Sequence, residues 1–152
     1  MGLKLSNNAS STLAGAITAV ATSFNVAATE GARFPALGAG DWCMATLVKI
    51  VAGNEEREIV KVTARTNDSF TVVRGQEGTT GTTFSAGDRI ELRLTAGSLT
   101  GEFDRIVTEA AAHTDTEVTR LDGEVDRLDG RIDALGGAEV TLAAVHAAML
   151  SF

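Results

Sequence analysis

Between Asp41 and Leu94 short apolar or alternating runs, separated by turn residues, predict short strands, and beyond Gly97 the period becomes that of a helix. Cys43 to Val51 is a mostly apolar run ended by Ala52-Gly53-Asn54-Glu55, a hairpin turn signal. Val60, Val62 and Ala64 then alternate with Lys61, Thr63 and Arg65, the pattern of a half-buried strand. Asn67-Asp68-Ser69 turns the chain, and Phe70 to Val73 is predicted as the third strand of a meander. Ile90, Leu92 and Leu94 alternate with Arg89, Glu91, Arg93 and Thr95, the cleanest strand pattern in the chain. Upstream, "ATSFNVAA" predicts one more short strand, Phe34-Pro35 punctuates the loop before Trp42, and the alanines of Ala14 to Ala21 allow a helical turn. Five to seven short strands in this span predict a mainly β N-terminal domain, a small antiparallel barrel or sandwich.

Past Gly97-Ser98 the expected element is a helix capped by Ser98 or Thr100, with Glu102 and Asp104 in a first turn that favours negative charge. Val118, Leu121, Val125, Leu128, Ile132 and Leu135 are spaced 3, 4, 3, 4, 3, a heptad seam with β-branched residues at a and Leu at d. Leu99, Phe103, Ile106 and Ala110 extend it upstream, and Thr114 is needed to reach Val118, a stutter that relaxes a supercoil. Gly123 and Gly130 at f positions cost about 1 kcal/mol each relative to Ala. In a parallel pairing Glu117 faces Asp122 and Glu124 faces Asp129, both repulsive. Such a coiled coil is marginal alone and needs its ends held together. Gly136-Gly137 is read as a helix stop. The predicted organisation is a β domain at 1–97, a coiled-coil stalk at 98–136 and an apolar C-terminal tail at 137–152. That tail is too apolar to be left in water and too short to span a bilayer, so Val145, Met149 and Phe152 are candidates for docking a distal protein.

Charge sharpens the division. Residues 1–100 carry nine acidic and nine basic side chains, whereas 101–136 carry ten acidic and four basic. An acidic arm on a neutral body argues against nucleic acid as a partner. No apolar run is long enough for a membrane span, and "MGLKLSNNASS" lacks a signal-like stretch, so folding in the cytoplasm is expected. Cys43 stands alone, which excludes an intrachain disulfide.

Candidate chemistry is sparse. The run "GQEGTTGTTFSAGDRIELRLTAGSL" looks at first like a phosphate loop, but Gly75, Gly78 and Gly81 fit neither glycine-rich pattern, no Lys-Ser/Thr pair follows, and a strand rather than a helix comes next. A structural or contact loop is expected, with Arg74, Gly75, Gln76, Glu77, Gly78 and Thr79 as its docking residues. His113 and Glu117 share a helix face while Asp115 points away, so a polar layer in the coil is expected rather than a metal site. Cys43 beside Trp42 reads as a small buried hydrophobe. No catalytic, cofactor or metal residues are assigned, and the chain is not expected to be an enzyme.

"LSNNASSTLAGAITAVATSFNVAA", "FPAL", "EIVKVTAR", "FTVVRGQEGTT" and "FSAGDRIELRLTAG", in that order, resemble a domain found near the N-termini of tailed-bacteriophage virion proteins, most often tail-fibre, tail-spike or collar proteins. The resemblance spans residues 3–97, and its most specific part is Arg74 to Thr79 followed by Ala86-Gly87-Asp88-Arg89. It implies a β domain that anchors a fibre at the tail, collar or baseplate and a coil that makes a homotrimer, although Val or Ile at a with Leu at d favours two strands. Other virion proteins are the implied partners and the virion the implied location. No large receptor-binding region follows the shaft before Phe152, which points to a short fibre or an adaptor. Two further readings stay open: a capsid decoration or head-fibre protein, and a carbohydrate-binding adhesin. The last is disfavoured by the absence of Tyr and the presence of a single Trp.

Overall fold

The computed structural model describes residues 2–150, and the side chains of all of these except 137–143. Two compact units are present, Met1–Asp104 and Arg105–Phe152. The first is a curled antiparallel sheet of β1 (Ser10–Thr12), β2 (Ser23–Asn25), β3 (Cys43–Val51), β4 (Asn54–Thr66), β5 (Ser69–Gln76) and β6 (Arg89–Leu92), in the order β1-β6-β3-β4-β5-β2. A single helix, α1 (Ala96–Met149), follows. Its first turns belong to the β unit, and the rest makes up the second unit.

The period-two runs account for the core. Cys43, Ala45 and Leu47 of β3 lie opposite Val62, Val60 and Glu58 of β4, so successive inward positions of the two long strands meet. Phe70 and Val72 of β5 and Ile90 of β6 complete the layer, all nearly inaccessible. Phe70 stacks on Phe24 at 5.8 Å between ring centroids and meets Phe34 edge-on at 5.1 Å, geometries that aromatic pairs prefer. Phe84 and Cys43 also belong to the core, which is otherwise built from Val, Leu, Ile and Ala.

Both predicted hairpin turns form. Val51 pairs with Asn54 around Ala52 and Gly53, both at positive φ, the twist-matched two-residue turn. Thr66 pairs with Ser69 around Asn67 and Asp68. Here the Asp68 carboxylate accepts the Thr29 and Gly31 N–H groups, each at 2.9 Å. Gly31 is required at this contact, because a Cβ would stand 2.1 Å from the Asn67 carbonyl oxygen.

Several expectations are corrected. Ala14 to Ala21 forms no helical turn. Ile17 instead exchanges backbone hydrogen bonds with Phe84, at 2.9 and 3.1 Å. The Ser10–Thr12 strand lies outside the predicted elements. It pairs with β6, and beyond it Leu13 bridges to Val26, so β1 and β2, the two ends of the sheet order, meet. Ala27 N–H reaches the Thr12 carbonyl at 2.8 Å, and Ala14 N–H reaches the Asn25 carbonyl at 2.9 Å. The alternation from Arg89 does not continue as strand to Thr95, since β6 ends at Leu92 and Leu94 is exposed. The stop expected at Gly136-Gly137 does not occur either, and α1 runs through both glycines to Met149. Two glycines cost about 1 kcal/mol each in a helix but remove no hydrogen bond, and the neighbouring alanines favour helix.

Candidate functional site

At the centre of the loop region lies an ion pair that the sequence reading did not single out. Glu58 is fully buried, and its carboxylate accepts Arg74 Nε at 2.7 Å and Nη2 at 2.6 Å. The same carboxylate accepts the backbone N–H groups of Gly75 and Thr82, both at 3.0 Å. Arg74 spends its remaining donors on the carbonyls of Thr18 at 2.7 Å, Ala21 at 3.3 Å and Thr82 at 2.7 Å. Burial, the largest single influence on the Glu58 carboxyl, pushes its pKa up. The Arg74 hydrogen bonds, the two amides and the guanidinium charge together outweigh it and hold the carboxyl below its usual range. Among the described residues no buried side-chain polar atom lacks a partner. A signal for this pair does exist in the sequence. Glu58 is in phase with the inward Val60 and Val62, and Arg74 with the inward Phe70 and Val72, so two opposite charges lie at core-phase positions of neighbouring strands.

Arg74, the first of the predicted docking residues, belongs to this pair; the others lie around it, and most of their polar atoms are engaged within the chain. Gly75 takes φ +61, and a Cβ there would approach the Thr79 carbonyl to 3.1 Å. Gln76 Nε2 donates to the Arg74 carbonyl at 2.9 Å. Thr79 Oγ1 donates to the Gln76 carbonyl at 2.7 Å and accepts the Ile59 N–H at 3.1 Å, filling the place where the β4–β5 register shifts. Lys49 holds the far side of the loop, donating to Thr82 Oγ1 at 3.0 Å and the Thr83 carbonyl at 2.9 Å. Gly78 is exposed.

Glu77 connects the loop to the helix. It sits at φ +52, and its carboxylate accepts the Gly97 N–H at 2.9 Å and the Thr95 hydroxyl. Thr95, rather than Ser98 or Thr100, is the N-cap. Ser98 N–H donates to Thr95 Oγ1 at 3.2 Å, and Thr95 N–H donates to Ser98 Oγ at 3.0 Å, a reciprocal capping arrangement with serine at the third position. The first turn of α1 contains no acidic residue, contrary to the expectation for Glu102 and Asp104. The carboxylate that the dipole favours there arrives from the loop. Beside this contact opens a cleft of about 430 Å³ lined by Thr46, Arg57, Glu77, Thr79, Arg93 and Leu94 among others.

Along α1 the nine seam residues Leu99, Phe103, Ile106, Val118, Leu121, Val125, Leu128, Ile132 and Leu135 are all exposed, from 42% at Leu128 to 64% at Ile132 and Leu135. The g-position carboxylates are tied within their own helix, Glu117 to Arg120 at 3.0 Å and Glu124 to Arg127. Val145 and Met149 are exposed on the helix, while Phe152 lies outside the described residues. Among the described residues, no group of His, Cys, Asp and Glu is arranged to hold a metal ion, and no helix is long and apolar enough to cross a membrane. Cys43 is buried, and its thiol pKa is pushed up by that burial to about 12. No protein-family model matches the chain, and no curated protein is significantly similar to it.

Proposed function

We propose that this chain is a structural virion component of a tailed bacteriophage. In this reading the β unit anchors it at the tail, collar or baseplate among other virion proteins, and α1 assembles it into a parallel homotrimer. One observation carries the assembly half: nine large apolar side chains of α1, in two heptad-spaced stretches, all remain exposed to solvent. Monomeric proteins rarely leave apolar stretches of this length uncovered. Pairing of g-position glutamates with arginines of their own helix lessens the repulsion that a parallel arrangement would otherwise meet. The virion half rests on the ordered resemblance of residues 3–97.

Sedimentation tests the assembly. The chain should run as a trimer, and Leu121→Asp with Leu128→Asp, which places unpaired charge in the seam, should run as a monomer. An unchanged sedimentation coefficient in the double variant refutes a seam-mediated oligomer. Mass spectrometry of purified particles tests the location, and absence of the chain from them refutes it.

A further inference from the structure

We propose that Glu77 nucleates the stalk: the folded β unit builds the first turn of α1, and association of the helix with second copies of this chain depends on that turn. The inference adds to the oligomer reading, and only its association measurement rests on that reading.

Starting a helix is its costly step, because several residues must be fixed before the first hydrogen bond is gained. The leading N–H groups have no partner within the helix. In this chain the needed partners are already in place. Gly97 N–H meets the Glu77 carboxylate at 2.9 Å, and Ser98 N–H meets Thr95 Oγ1 at 3.2 Å. Ser98 is 1% exposed, so this turn is packed as part of the β unit rather than left to fray. Further along, the helix has little to sustain it: its seam is in water and it carries Gly101, Gly123, Gly130, Gly136 and Gly137.

Three features indicate that the loop is shaped for this contact. Glu77 adopts a left-handed backbone that residues with a Cβ seldom take. The loop that holds it there is fixed from within by Glu58, through Gly75 and Thr82. Position 97 is a glycine, and a Cβ there would come 2.7 Å from Glu77 Cδ, so a side chain would displace the carboxylate.

Two variants of the full chain separate this role from ordinary helix propensity. Glu77→Gly removes the carboxylate at a backbone position that suits glycine. Gly97→Ala evicts the same carboxylate while raising intrinsic propensity. Both should lower the helical far-ultraviolet signal and weaken self-association by roughly fivefold per chain, the scale of a lost cap. Glu77→Gln, which retains one acceptor oxygen, should fall between them and the parent. Thermal unfolding of the β unit, followed by Trp42 fluorescence, should stay where it is. If Glu77→Gly lowers that transition, Gly97→Ala carries the test, since the atoms nearest its Cβ all belong to the Glu77 side chain.

Unchanged helicity and association in both variants overturn the proposal. So does a gain of both in Gly97→Ala, the result propensity alone dictates. A parent chain that is monomeric at every concentration, yet loses helicity in both variants, supports nucleation by Glu77 and refutes the oligomer reading.

Discussion

Arg74 grips Glu58 through two nitrogens of its guanidinium, at 2.7 and 2.6 Å, with 8% of one side chain and none of the other open to solvent. Charges so placed are costly to bury and costlier to leave alone. Arg74→Met should therefore destabilise the β unit by about 3–5 kcal/mol, the range for orphaning one member of a buried pair. Urea unfolding followed by Trp42 fluorescence measures it. A loss below about 1 kcal/mol, the worth of an exposed pair, would show that the site admits water.

Acid should act through the same carboxylate. Glu58 and Asp68 both titrate below their usual range in the folded chain, Glu58 because its partners outweigh its burial and Asp68 because it accepts the Thr29 and Gly31 amides. A depressed folded pKa means stability that is complete above the unfolded value and is lost as pH falls through the folded one. The urea midpoint should hold from neutrality down to about pH 5 and then decline from about pH 4 downward. Glu58→Gln should lessen the slope of that decline.

Gly123 and Gly130 have open space where a Cβ would lie. Changing both to Ala should raise helix stability by about 1 kcal/mol at each position without touching the seam. Helix melting by circular dichroism should shift upward, and association should tighten in step. A looser oligomer with a more stable helix would mean that the glycines lie in a contact between chains.

The Cys43 thiol, raised to about 12 and buried, should be inert toward thiol reagents at neutral pH in the native protein. It should react at the ordinary rate in urea. Fast native labelling would show that β3 opens locally.

What could be read in advance was whatever depends on near neighbours in sequence. The runs around Cys43–Val51, Val60–Arg65 and Phe70–Val73 each fall within a strand, the first because a short apolar run suits a strand buried on both faces and the other two because alternation reports one buried face. Ser10–Thr12 escaped notice because it is polar, and its pairing with β6 is made by backbone groups. The cap residue Thr95 lies only three residues before Ser98 and was open to a local reading, whereas the carboxylate that meets the first turn comes from Glu77, which no inspection of the residues around Ser98 can supply. Gly136-Gly137 was over-read: glycine weakens a helix, but without proline nothing there forbids one. Glu58 is one of several charges in "NEEREIV", and only its phase with Val60 marks it as inward.

The meeting of Leu13 with Val26 bears on the exposure of the sheet's edges. An unpaired edge invites a neighbour's strand, and that risk grows when copies are held close together. Thr12 and Ala27, with Ala14 and Asn25, already satisfy one another where the two end strands meet. Such a unit gives a neighbour's strand no register to slip into at that seam. In the proposed oligomer the β units would remain separate at that seam, each folding on its own account.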